Sequence, residues 1–506
     1  MRRFRRLSQL LFFVFFLILF FAARDPYKTP VPSEIFLQSS PLAAVTVFLT
    51  SRSLFAPMLL SVVVLILSLV LGRIFCGWVC PLGTIIDAAD KFIKPKIGFM
   101  APAGTRWKNA KFIILIAILI ASLFSVQWAG YFDPLALLWR TFTVVIFPVV
   151  SFISFTLFQL IFNIGLFEDA AYWLYDLSQK TVLPMQQPVF LQGGLILFVF
   201  AVILFSSTVS KRFWCRNICP LGALLALVSR RRLLQHDVNS ACTACGLCQS
   251  SCRMAAIADD LSTSAAECIE CGECLDTCPE KAIHYAFRIS PPQPLDLSRR
   301  HVIQAGLLGV SGVVFGHALG RGEKQSTVIR PPGALQEKEF VDTCIRCLQC
   351  VKICNSTGGC LQPTFLQAGW EALWTPRVEP GLGYCEFDCT LCGQVCPSGA
   401  IRELQPSEKK KTKIARAVFD KNRCIPWAAH KDCLVCEEHC PVADKAIKFE
   451  RREISTPDGD LLTVKLPYVV EELCIGCGIC EYKCPVSGDR GIVMAPINRD
   501  ADAFTL

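Results

Sequence analysis

Long apolar runs separated by short basic loops fill the first half of the chain, and polar sequence punctuated by cysteine fills the second. The first run, Leu10 to Ala23, follows Arg2, Arg3, Arg5 and Arg6. A basic flank stays on the cytoplasmic side, so the pattern predicts a helix running outward. Arg24-Asp25-Pro26 follows it in place of a small-residue cleavage site, which favours a retained anchor over a removed leader. A second run, Phe55 to Phe75, predicts a return inward to a loop carrying Lys91, Lys94, Lys96, Arg106, Lys108 and Lys111. Phe112 to Trp128 then runs outward, and Leu191 to Val209 returns to Lys211, Arg212 and Arg216. Phe142 to Phe167 is also apolar and long enough to cross about 30 Å of hydrocarbon. The loop after it, Glu168 to Gln187, is acidic on balance, however, and the next run must still end inside. The expectation is a re-entrant or surface-lying segment, leaving four spanning helices within residues 1–235.

Composition sharpens this picture. Of 506 residues 53% are apolar and the mean hydropathy is +0.44, as in a membrane protein. The formal net charge of +9 is uneven: residues after 320 carry −1 and those before it +10. Because the basic excess borders apolar runs, it reads as the positive-inside bias and argues against a nucleic-acid partner. The 29 cysteines stand in tight clusters, which in a long chain points to metal and not to a disulfide scaffold.

Two cysteine patterns occur. Cys76-Gly-Trp-Val-Cys80-Pro81-Leu82-Gly83 ends the second run, and Cys215-Arg-Asn-Ile-Cys219-Pro220-Leu221-Gly222 ends the last one. Two C-x-x-x-C-P-L-G copies at equivalent depth suggest an internal duplication. Cys76, Cys80, Cys215 and Cys219 are candidate ligands of one further cluster where the repeats meet; inner-surface cysteines that only dock a partner fit the pattern equally well.

The second pattern is C-x2-C-x2-C-x3-C, at Cys242, Cys245, Cys248, Cys252 and again at Cys268, Cys271, Cys274, Cys278. Three thiolates at this spacing wrap one [4Fe–4S] cluster and the fourth ligates its neighbour, so Cys278 is assigned to the first set and Cys252 to the second. Arg253 stands where a proline is usual. Zinc sites use two C-x-x-C pairs without the third cysteine. Four further sets follow: Cys344, Cys347, Cys350, Cys354; Cys385, Cys389, Cys392, Cys396; Cys424, Cys433, Cys436, Cys440; and Cys474, Cys477, Cys480, Cys484. Six sets predict six clusters. Each unit is too small to bury its own core, so clusters should come in pairs. Adjacent pairing and nested pairing, first with last, both satisfy the spacing. Ala-Ile recurs at 282–283, 400–401 and 446–447, where a short strand is expected after each loop. Cys360 is left over and reads as a buried free thiol.

Between the two halves lies Ser298-Arg299-Arg300 with a glycine-rich apolar run to Gly320, which resembles a twin-arginine export signal except that Gln304 stands where lysine is usual. A plain transmembrane helix is the simpler reading, and either one carries the C-terminal half outward. The domains are therefore residues 1–235, helical and membrane-embedded; 236–297, a cytoplasmic two-cluster ferredoxin; 298–320, an export or anchor segment; and 321–506, an extracytoplasmic four-cluster ferredoxin. The fold class is a polytopic α-helical membrane domain with α+β bacterial-ferredoxin-like domains on both faces.

On these motifs the first half resembles NapH-type membrane ferredoxins, and the half after Arg299-Arg300 resembles NapG/MauM-type ferredoxins, here joined in one chain. The resemblance implies a bacterial inner-membrane protein that oxidises quinol and passes electrons to a periplasmic redox partner such as a cytochrome or terminal reductase. Similarity to membrane ferredoxins of assembly systems offers an alternative: reductive activation or maturation of another metalloenzyme. The chain has no C-x-x-C-H for c-type haem, and none of its six histidines lies in the four expected spans. A mobile quinol is then the natural donor. Tyr131, Asp133, Trp139 and Arg140 sit just past the third span, where Asp133 could accept a proton and Arg140 could hold a quinol oxygen. Interface aromatics and a helix cap account for the same residues.

Overall fold

The computed structural model describes residues 1–27, 30–53, 55–93, 108–164, 168–184, 187–288, 297–320, 328–455 and 461–497. Lys94, Lys96 and Arg106 of the basic loop, and residues 165–167 at the end of the fourth apolar run, lie outside these. The helices that build the first half are α1 (Arg2–Ala22), α2 (Leu60–Leu71), α3 (Pro81–Phe92), α4 (Ala110–Leu123), α5 (Pro134–Ile164), α6 (Glu168–Thr181), α7 (Gly193–Phe205) and α8 (Pro220–Ser229). A later helix, α9, spans Arg299–Gly320.

By length and composition α1 and α5 can cross a membrane. The other expected spans are helical but shorter: Ala56–Leu71, Ala110–Leu123 and Gly193–Thr208. One cause of shortening is visible at Gly72, which ends α2 at φ +79° and turns the chain toward the Cys76 loop.

The Phe142–Phe167 run belongs to a longer helix than its apolar limits suggest. The helix starts eight residues earlier and runs unbroken for 31 residues. Asp133 caps its start by accepting from the backbone N–H of Leu135 (2.8 Å) and Ala136 (3.1 Å), and Pro134 fills the first turn, where no N–H is needed. Pro148 does not break it because the turn before, Phe142–Ile146, is a widened π turn that gives the ring room against the carbonyl four residues back. α6 then folds back along α5, with Phe162 stacked on Tyr172 at 4.6 Å and Phe158 edge-on to Tyr175 at 5.1 Å. This hairpin explains how an acidic segment can precede α7 without an extra crossing.

The two ferredoxin parts sit at opposite ends of the bundle. At one end the Arg2 backbone N–H donates to Asp276 (3.0 Å) and Lys111, at the start of α4, to Glu267 (2.6 Å). At the other, Lys352 reaches Ala23 O past the end of α1, Thr50 donates to Asp342 O (2.6 Å), and Gln192 before α7 donates to Pro363 O (3.0 Å). The 21 residues of α1 separate these ends by about 30 Å. α9 runs beside α4 in the same direction. Gly309 sits against Ala117 and Ile120, and Gly312 against the Trp128 ring, so close that a side chain at Gly312 would overlap the indole. α9 thus carries the chain from the first ferredoxin part to the second.

Each ferredoxin part is built on two-stranded antiparallel ladders. β1 (Leu234–Val238) pairs with β2 (Ile283–Phe287) in the first. The second has β3 (Leu361–Pro363) with β4 (Pro376–Val378), β5 (Ala415–Phe419) with β8 (Ile492–Pro496), and a nine-residue hairpin of β6 (Ile447–Ser455) with β7 (Leu461–Val469). Ile283 and Ile447 open strands as expected, whereas Ile401 makes only an isolated bridge to Ala334.

Candidate iron-sulfur centres

The cysteines gather in fours, and adjacent sets exchange their last member. Cys242, Cys245 and Cys248 share an apolar hollow with Cys278. Cys271 and Cys274 face Cys252. In the second part Cys344, Cys347 and Cys350 face Cys396, while Cys385, Cys389 and Cys392 face Cys354. Cys424, Cys433 and Cys436 line a hollow with Cys484, and Cys474, Cys477 and Cys480 line one with Cys440. Pairing is therefore adjacent throughout, and the nested alternative is set aside.

The local backbone fits [4Fe–4S] ligation. In four sets the residues two and four after the first cysteine adopt left-handed φ: Ala244 and Gly246, Glu270 and Gly272, Arg346 and Leu348, Gly476 and Gly478. That alternation curls the loop so that its cysteines face one point. The sets opening at Cys385 and Cys424 lack it, as their longer first spacing allows. Backbone N–H groups then point at the cross-ligating sulfur: Ala256 to Cys252 Sγ (3.3 Å), Ala282 to Cys278 Sγ (3.4 Å) and Ile401 to Cys396 Sγ (3.4 Å). Burial pushes the thiols of Cys274, Cys385 and Cys436 up to about 12, so bare thiolates are unfavourable there and ligation must displace protons. When bound, such clusters take up and release single electrons.

Buried charge locks the first ferredoxin part to the bundle. Asp87 on α3 receives Arg5 (2.9 Å), Gln9 (2.7 Å), Arg212 (2.6 and 2.8 Å) and Arg253 (3.1 Å). Burial opposes its charge, yet Arg212, Arg253 and Arg5 together hold the carboxyl below the usual carboxylate range. Arg253, the residue in place of proline, also donates to Glu273 (2.7 Å), so the departure from the motif serves docking. Gly77 lets the Ile269 carbonyl approach where any side chain would collide. Sequence reasoning missed this network; its only signal was isolated charges at the ends of apolar runs.

At the opposite end Arg346 donates to Gln127 O (2.6 Å) and Glu371 O (2.6 Å), and its guanidinium lies over the Tyr131 ring. Arg140 is buried and donates to Gly130 O and Arg346 O, both at 3.1 Å, beneath the Trp374 ring. Asp133 caps α5 and accepts from Ser40. Both side chains are thus engaged by protein groups. The expectation has Asp133 accepting a proton and Arg140 holding a quinol oxygen; in the fold both are buried and brace the wall against the Cys347 loop. Cys360 is 1% exposed and its sulfur lies 3.9 Å from Cys354 Sγ.

An apolar helix bundle with four-cysteine loops at both ends defines an iron–sulfur electron-transfer protein of the ferredoxin type. The chain belongs to the NapG ferredoxin-type family. It is 35% identical over 182 residues to "Ferredoxin-type protein NapG" of Escherichia coli, covering 36% of this chain and 76% of that protein. It is 31% identical over 187 residues to "Methylamine utilization ferredoxin-type protein MauM" of Methylobacillus flagellatus, covering 36% and 74%. It is also 25% identical over 241 residues to "Ferredoxin-type protein NapH" of Haemophilus influenzae, covering 45% and 67%, consistent with a fusion of the two types. Family models described as 4Fe-4S binding domains match residues 53–99, 192–236 and 392–412, 239–255, and 467–487. A 4Fe-4S dicluster model matches 260–355, joining the Cys268 and Cys344 sets. The structure places those sets at opposite ends of the bundle, so their geometry and not that alignment decides the pairing. No solved structure matches the chain.

Proposed function

We propose that the protein is a membrane-embedded quinol dehydrogenase module of a respiratory chain, with 236–297 on the cytoplasmic face and 321–506 outside. It holds six [4Fe–4S] clusters and delivers electrons to a periplasmic redox partner. The observation that carries this reading is the placement of paired cluster loops at both ends of one apolar bundle. The ends lie too far apart for a single electron jump, so a lipid-soluble donor such as quinol serves the clusters from within the bilayer. Trp128, Tyr131, Arg346 and Trp370 cluster beside the Cys344 loop at the outer end, the face at which quinol would meet the outer clusters.

The test is anaerobic reduction of the purified protein. Menaquinol or ubiquinol should reduce a subset of clusters within mixing time, and dithionite should reduce all. If dithionite reduces the clusters but quinol leaves every one of them oxidised, this function is set aside in favour of maturation of another metalloenzyme.

A further inference from the structure

The two C-x-x-x-C-P-L-G turns share more than their cysteines. Each has an arginine three residues before its first cysteine, Arg73 and Arg212. Both are fully buried. Each crosses to the other repeat. Arg212 donates to Cys76 O (3.1 Å) and Gly83 O (3.2 Å). Arg73 Nη2 lies beside Gly222, whose absent side chain would meet it at 2.8 Å, with Cys215 O and Cys219 Sγ next to the same point. The backbone repeats as well: Cys80 and Cys219 both cap a helix opened by proline, at φ −60° with ψ 117° and 112°. The site has a pseudo-two-fold axis.

The four thiols are free and lie within electrostatic reach of one another, and Arg73 lies within reach of Cys76, Cys215 and Cys219. Arg73 Nη1 donates to Ala266 O (3.0 Å) and lies 3.6 Å from Glu267 Oε2, but its Nε and Nη2, on the side of the cysteines, are buried without a hydrogen-bond partner. A buried guanidinium with unmet donors is costly unless an anion faces it. A cluster on four thiolates is such an anion, and its sulfurs accept N–H bonds. Cys76 also packs in one apolar group with Met254, Ile269, Cys252, Cys268 and Cys271. A redox centre here would adjoin the Cys268 set.

We propose that Cys76, Cys80, Cys215 and Cys219 bind a seventh [4Fe–4S] cluster on this axis. Arg73 donates to its sulfurs and Arg212 orients the Cys76 turn. The cluster exchanges electrons with the one held by Cys268, Cys271, Cys274 and Cys252. The proposal rests on the iron–sulfur reading of the chain but not on quinol as donor, because its test counts metal.

Full-length protein purified anaerobically should hold about four irons more than six clusters supply. Cys215→Ser with Cys219→Ser should remove that surplus, its acid-labile sulfide and one Mössbauer component, leaving the other six. Arg73→Gln, which keeps all four thiols, should retain the iron and lower the midpoint potential of one cluster only. Unchanged iron in the double variant, or zinc in place of the surplus iron, would overturn the seventh cluster. An Arg73→Gln protein with every potential unchanged would overturn the arginine's role.

Discussion

Replacing Asp87 by alanine should release the first ferredoxin part from the bundle. The change removes the carboxylate shared by Arg5, Arg212 and Arg253; Glu273 still faces Arg5 and Arg253, but the fully buried Arg212 loses its ion-pair partner. Breaking a buried ion pair from one side costs about 3–5 kcal/mol, and here one side chain serves three partners. The expected result is a lower melting temperature in detergent and rapid proteolysis within 236–297, with the second ferredoxin part still protected. Asp87→Asn, which keeps the shape and two acceptor lone pairs, should fall between. A melting temperature and cleavage pattern like the parent's would show that the apolar contacts around Gly77 and Ile269 suffice for docking.

The second large effect concerns cross-ligation. Cys396→Ser should alter the same EPR signal as Cys344→Ser, because Cys396 faces the Cys344 set across the pair. Cys354→Ser should alter a different signal, the one that Cys392→Ser also changes. Each variant keeps three thiolates, so conversion to a three-iron form is the expected signature. Should Cys396→Ser and Cys392→Ser strike one signal, each set would ligate its own cluster and the exchange would be wrong.

Much of this site was legible because cysteine spacing encodes it locally. Three thiols at a step of three residues demand a curled loop, and the left-handed residues at 244, 246, 270 and 272 supply it. What spacing cannot encode is distance between sets. Whether Cys354 serves the next set or the last depends on how loops pack, and only the fold places it by Cys385. The outline of the bundle was readable from apolar runs, but α5 was not. Its continuity depends on a π turn ahead of Pro148, and π turns leave no periodic trace in a sequence. Asp133 and Arg140 looked like chemistry because polar residues among apolar ones draw attention. Their partners, Ser40 and the carbonyls of Gly130 and Arg346, come from distant or non-periodic positions. The paired Arg73 and Arg212 were in plain view but acquire meaning only when each is seen to reach the other repeat's turn.

Placement of the two ferredoxin parts on opposite faces of a membrane is the claim on which the rest depends. Protease added to intact spheroplasts, followed with epitope tags after Leu506 and within 289–296, tests it directly. Loss of the C-terminal tag with the internal tag protected is the predicted result, with the reverse in inverted vesicles. Protection of both tags in spheroplasts, or loss of both, would contradict it.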